Sequence, residues 1–225
     1  IAAGTRSGNT YTADSKVFKG TFDGNNITLR NLTVTKLPEG ASADYGVGLF
    51  GVVDGGTIKN LKFADVNIAV SGSECAGSAV GILLGGGTVE NVTVESGCVE
   101  AIRGNGGVVG RMLVSGTIAN CTNNAKIIAT GANAGAAYYT AVGKEMTISD
   151  CSNYGVIAGA SAAGGIVGLS AANVSGCVNY ASVSGNGFSV GGIVGEQQNY
   201  GSVTGCTNEA DIFNGNNSAD EKDTS

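Results

Sequence analysis

The sequence predicts an all-β protein, a single right-handed parallel β-helix (a β-solenoid) of about seven coils of roughly 29 residues. Three observations predict it. A segment of the form Thr-Ile-x-Asn-Leu recurs, with an apolar residue at the same place: Leu32, Leu61, Val92, Cys121, Cys151, Cys177 and Cys206. The steps between them are 29, 31, 29, 30, 26 and 29 residues. A fixed period of about 20–50 residues belongs to solenoids, propellers or arrays. A Gly-aliphatic-aliphatic-Gly block precedes most of these positions. Finally, glycine supplies 39 of 225 residues and no segment sustains a helical period, which disfavours helices.

The elements follow in order. Residues 1–16 are polar and read as a cap or partial coil. The first copy opens with Phe18-Lys19-Gly20-Thr21-Phe22-Asp23-Gly24, and a long loop from Leu37 to Tyr45 holds the only proline, Pro38. The blocks then read Gly48-Leu49-Phe50-Gly51, Gly107-Val108-Val109-Gly110, Gly165-Ile166-Val167-Gly168 and Gly192-Ile193-Val194-Gly195. Gly81-Ile82-Leu83-Leu84-Gly85 and Thr140-Ala141-Val142-Gly143 read as degenerate copies. A third apolar position follows each ladder residue: Leu37 or its neighbourhood, Ile68, Cys98, Ile127, Ile157, Val183 and Ile212. Each unit thus offers three short strands bounded by Gly, Asn, Ser and Asp. Strict alternation breaks between Ile148 and Cys151, which predicts a bend or bulge there. The segment 214–225 has no Val, Leu, Ile or aromatic residue and reads as a disordered tail or linker. Residues 1–213 then form one solenoid domain.

Three strands per unit fit one coil, and coils stacked at ~4.8 Å make a rod about 35 Å long. A propeller blade needs roughly 40 residues or more. The Leu-x-x-Leu-x-Leu spacing of leucine-rich repeats is absent. The lack of Trp suits a narrow interior, and the near absence of Pro preserves ladder donors. A net charge of −6 argues against nucleic acid or an anionic membrane as partner. No run is long enough to span a membrane.

Four of the six cysteines stand in the apolar ladder, where they read as buried free thiols. A Cys75–Cys98 bridge is left open. With no His and no Cys-x-x-Cys, neither a metal site nor a cofactor is expected. Asparagines align twice: Asn31, Asn60, Asn91 and Asn120 precede the ladder residue, and Asn123, Asn153, Asn179 and Asn208 follow it by two. Stacked amides that bond coil to coil account for both rows. Thr57, Thr88, Thr117 and Thr147 also align, but Asn173 and Ser202 break that row. Tyr154 and Tyr180 stand one coil apart, with Tyr138 and Tyr139 nearby in sequence. They read as an external stack, and as the candidate binding residues for a sugar.

Catalytic residues are not expected. Without His the usual triads are excluded. Asp23, Asp54, Asp65 and Asp150 fall at turns, where Asp is commonly structural.

The blocks Phe18 to Asn25, Val47 to Gly51 and Thr57 to Leu61, with the later Gly-Gly-Ile-Val-Gly and Cys-x-Asn segments, resemble the GLUG-repeat proteins. The Gly-Leu-x-Gly motif of that family is matched by Gly48 to Gly51. The resemblance spans about Val17 to Phe213. It implies a secreted or surface-anchored bacterial β-solenoid, extracellular, with an adhesive or spacer role and further domains in a longer chain. It carries no catalytic residues to transfer. The function expected is a non-catalytic structural or adhesive module that presents a repeat surface to a host protein or a glycan. The alternative is a carbohydrate-active β-helix enzyme, a lyase or hydrolase, which would need a groove where carboxylates converge.

Overall fold

A computed structural model describes residues 4–7, 10–13, 16–37, 45–71, 75–134, 137–139, 145–187, 189–198 and 201–215. Among these residues all regular structure is strand, and the chain winds as a parallel β-solenoid. Gly4–Ser7 and Thr10–Ala13 form an antiparallel pair ahead of the coils. Pro38, the Thr140-Ala141-Val142-Gly143 block and residues 216–225 lie outside the described residues.

Each coil crosses three stacked faces. The first face carries Phe50–Asp54, Val80–Leu84, Val109–Met112, Ala137–Tyr139, Val167–Ser170 and Val194–Gln197. The second begins with Thr21–Arg30, Thr57–Ala64 and Gly87–Val94, and then continues in pairs of shorter strands from Ser115–Ala119 and Thr122–Asn123 onward. The third runs from Thr33–Val34 through Val66–Ala69, Gly97–Asn105, Lys126–Ala134, Ile157–Gly159 and Val183–Gly185 to Ile212–Asn214. A fourth short run, such as Ala162–Gly164 paired with Ser189–Gly191, leads back to the first face and was not anticipated. Of the seven rungs on the second face, five are stacked on both sides. The solenoid thus has about five full turns between two end rungs, where about seven coils are expected.

The interior is built from rows at one register. Ile58, Val89, Ile118, Ile148 and Val174 form one buried row. Leu61, Val92, Cys121, Cys151 and Cys177 form the next, and Cys206 ends it half-buried. On the first rung the register position of this row is held by Ile27, half exposed at the end of the stack, rather than by Leu32, because the register of the first strand shifts between Asp23 and Ile27. Two more positions move. Val34 and Val99, not Leu37 and Cys98, pair with Ile68 on the inside of the third face. Cys98 sits one residue off and faces Lys126. A one-residue slip exchanges the inside of a strand for its outside, so neighbouring apolar residues are easily confused.

The degenerate block also moves. Phe50 pairs with Val80 and Val80 with Val109, so Ser78-Ala79-Val80-Gly81 is the copy aligned with Gly48 to Gly51, four residues earlier than Gly81 to Gly85.

The predicted bend is a left-handed corner. Asn26, Asn60, Asn91, Asn120 and Asp150 have φ of 58°, 53°, 55°, 51° and 53°, and Gly176 and Gly205 continue the row at 62° and 60°. Asn and Asp tolerate this region, and Gly adopts it freely. Asn26 takes the place in this row expected for Asn31, which turns the following corner at φ 59°.

Candidate binding face

The two asparagine rows are physically different. The corner row is exposed, with Asn91 Nδ2 donating to Asn60 Oδ1 at 3.2 Å and Asn60 Nδ2 to Asp23 Oδ1 at 3.0 Å. The second row is buried from Asn123 to Asn179 and ends at the exposed Asn208. Asn123 donates to Asn153 at 2.9 Å, Asn153 to Asn179 at 2.8 Å, and Asn179 to Asn208 at 2.7 Å. Each amide also closes a local turn. Asn153 Nδ2 donates to the Gly155 carbonyl at 2.8 Å, and its Oδ1 accepts from the Gly155 N–H at 3.3 Å. Asn123 and Asn179 do the same with Ala125 and Ala181. The same register position holds Leu29, Phe63 and Val94 in the earlier rungs, so the row changes from apolar to amide at the fourth rung.

None of the six cysteines is in a disulfide bond. Cys75 is buried with Arg111 Nη1 at 4.0 Å, and Cys98 is half-buried on the outside of the third face, so they do not pair. In the ladder, Cys151 Sγ lies 3.1 Å from the Ser149 carbonyl, and the Cys151 N–H lies 3.4 Å from Cys177 Sγ. The stacked thiol of Cys121, together with burial, pushes the Cys151 thiol above its usual range, and Cys151 does the same to Cys177.

The acids named from sequence stay on separate corners. Asp54 pairs with Lys19 at 3.1 Å, Asp65 with Arg30 at 3.8 Å, and Asp23 with Lys59 at 3.8 Å. The Asn25 N–H and the Asn60 amide hold the Asp23 carboxyl below its usual value. Asp65 also accepts from Ser96 Oγ at 3.1 Å. Asp150 occupies the left-handed corner itself. Among the described residues, no three Cys, Asp or Glu side chains come together as ligands for one cation.

Tyr154 and Tyr180 are stacked, with ring centroids 4.6 Å apart and planes 9° from parallel. Both are about half exposed. They sit at the corner between the second and third faces, one residue beyond Asn153 and Asn179, whose buried amides fix that corner. The gap between the rings admits no sugar, so each ring offers its exposed hydroxyl edge and one outer face, turned toward the neighbouring rung. In register, Asn124 flanks the pair on one side and Glu209 on the other. The side chains of Tyr138 and Tyr139 lie outside the described residues.

Sequence reasoning missed an open trough beside this corner, of about 350 Å³. It lies on the third face over three coils, with Ala158, Gly159, Ser184 and Gly185 among its lining and Ile128 at one side. The signal was the change from larger to small residues at outward positions of that face, which has no meaning until the register is known.

Comparison with known proteins agrees with this architecture. Residues 186–212 match the GLUG motif. Over 94 residues, the chain is 42% identical to halomucin of Haloquadratum walsbyi. That alignment covers 41% of this chain and 1% of halomucin, so the chain spans a very small part of this relative. The fold resembles that of a Bacteroides ovatus protein assigned by name to the immunoglobulin A1 proteases, with a TM-score of 0.61 at 21% identity. The match covers 85% of this chain and 61% of the other, and it speaks to the fold alone. On these grounds the chain is identified as a β-solenoid that carries the GLUG motif, matched over 186–212 and echoed by the coils before it.

Proposed function

We propose that the chain is a non-catalytic repeat module of a secreted or cell-surface protein, and that its rod presents a binding surface to a host protein or a glycan. The observation that carries this reading is where the polar groups go. The buried amides are consumed in bonds from coil to coil, and Asp23, Asp54 and Asp65 are held by cations and amides at separate corners. A hydrolytic site needs two carboxyl groups about 5–10 Å apart flanking one bond. Repetition gives instead a rigid surface on which the exposed tyrosine pair stands out. The GLUG motif and the halomucin match support a surface protein built of several parts.

Tyr154 and Tyr180 are the binding residues of this reading. Glycan and extracellular-matrix arrays probed with the purified chain and with the Tyr154→Ala/Tyr180→Ala variant test it. Binding that the double substitution abolishes, with the thermal transition unchanged, supports it. Turnover of a polysaccharide that is lost on replacing one carboxylate overturns it.

A further inference from the structure

The trough and the tyrosine pair belong to one outward surface. Tyr154 and Tyr180 stand at the corner, and past it Val156 and Ala158 lie on the outer side of the third face in one coil, in register with Ser182 and Ser184 in the next. Tyr154, Val156 and Tyr180 are exposed, whereas Ile157 and Val183 point into the core. From the tyrosines, the chain bends at Gly155 and Ala181 and then enters the third face, where Ala158 and Ser184 line the trough.

Charge brackets this surface. Glu95 and Glu100 lie in register toward the N-terminal coils, and Glu209 and Asp211 toward the C-terminal coils. Between them the rows hold Tyr, Val, Ala and Ser, with Asn124, the cation Lys126 and Ile128 at the N-terminal margin and the exposed Phe213 in register with Ser184 at the C-terminal one. The exposed parts of the two rings and the exposed Val156 offer apolar footing for the C–H face of a pyranose. The floor of small residues leaves the width for further sugar rings. The carboxylates at the rim accept hydrogen bonds from sugar hydroxyls and repel uronic or sialic acids.

We propose that this face holds a linear, neutral oligosaccharide. One sugar packs on the exposed surface of the Tyr154–Tyr180 pair and Val156, and the chain continues along the strands into the trough at Ala158 and Ser184. The proposal rests on the reading of the tyrosine pair as the binding residues, and it adds the chemistry and the direction of the ligand.

The test is calorimetric titration of the purified chain with cellohexaose, mannohexaose and maltohexaose, with the corresponding disaccharides and with hexagalacturonate. At least one neutral hexasaccharide is expected to bind, with its disaccharide tenfold weaker or more and no binding of hexagalacturonate. Ser184→Trp, which fills the trough, is expected to weaken the hexasaccharide at least tenfold while the thermal transition holds. Tyr154→Ala/Tyr180→Ala does the same by removing the anchor. If Ser184→Trp keeps full affinity, or the disaccharide binds as well as the hexasaccharide, the trough is not the site and the proposal fails, while the tyrosine reading stands. If hexagalacturonate binds equally, the charge argument fails. If no neutral hexasaccharide binds but an array protein does, through the tyrosines, the ligand class is wrong and the module reading survives.

Discussion

Gly107 packs against Asn123 so closely that a methyl group on Gly107 would collide with the Asn123 amide oxygen. Gly165 stands in the same relation to Asn179, and Gly192 to Asn208. The first glycine of the repeated block therefore makes room for the turn-closing amide of its own coil, which links the two most regular features of the sequence. Gly107→Ala is expected to cost about 2 kcal/mol through overpacking. Gly20→Ala is the control. Its added methyl meets only the Phe18 ring, at 3.5 Å, so its effect stays within about 0.5 kcal/mol. Urea unfolding midpoints of the two variants check the contrast.

Asn153→Ala removes four hydrogen bonds and strands groups on Asn123, Asn179 and Gly155. Each buried group left unpaired costs about 1–3 kcal/mol, and partial relaxation sets the expected loss near 3 kcal/mol. Asn153→Leu fares no better, because its neighbours remain polar. Equilibrium denaturation that shows a loss under about 1 kcal/mol for Asn153→Ala would contradict the ladder.

Val114 holds φ at 67° on an exposed site, which is unfavourable for a β-branched residue. Val114→Gly relieves this and is expected to raise stability by about 1 kcal/mol. At the corner row, Asn91→Gly is expected to change stability by less than about 0.5 kcal/mol, whereas Asn91→Val costs about 1–2 kcal/mol. Thermal melts of the three variants separate strain from packing.

The cysteine ladder gives a pH dependence with a definite sign. Cys151 and Cys177 have thiol pKa values raised above the ordinary 9.0, so the folded chain keeps protons that the unfolded chain releases. Their contribution is complete below about pH 9 and falls as pH rises above it. Denaturation at a series of pH values is expected to show this alkaline loss, diminished in Cys151→Val/Cys177→Val. Thiol titration is expected to find Cys121, Cys151 and Cys177 unreactive when folded and reactive in denaturant. Because Cys151 Sγ already lies 3.1 Å from the Ser149 carbonyl, Cys151→Ser retains a partner and costs only about 1 kcal/mol.

The solenoid was legible because its period is carried by side chains that point inward, and a narrow interior forces Leu61, Val92, Cys121, Cys151 and Cys177 into one row. The ends were less legible. Leu32 follows an irregular first strand, where the register shift puts Ile27 in the row instead. Cys98 and Val99 are both apolar neighbours, and only hydrogen-bond register decides which faces inward. The block at Gly81 to Gly85 looked aligned by composition, but pairing of Phe50 with Val80 sets the frame four residues earlier. The tyrosine stack followed from the spacing of one coil, and the rings do stack. The trough did not follow, since small outward residues carry no signal until the faces are assembled.

The central claim is that the polar residues of the later coils are consumed inside the solenoid, which leaves the outer surface for recognition. Hydrogen exchange of the asparagine side-chain amides, resolved by NMR, tests it most directly. Asn123, Asn153 and Asn179 are predicted to exchange only through opening of the core, with protection close to that of the most stable backbone amides, while Asn60 and Asn91 exchange at surface rates. Equal, fast exchange of both rows would contradict the account.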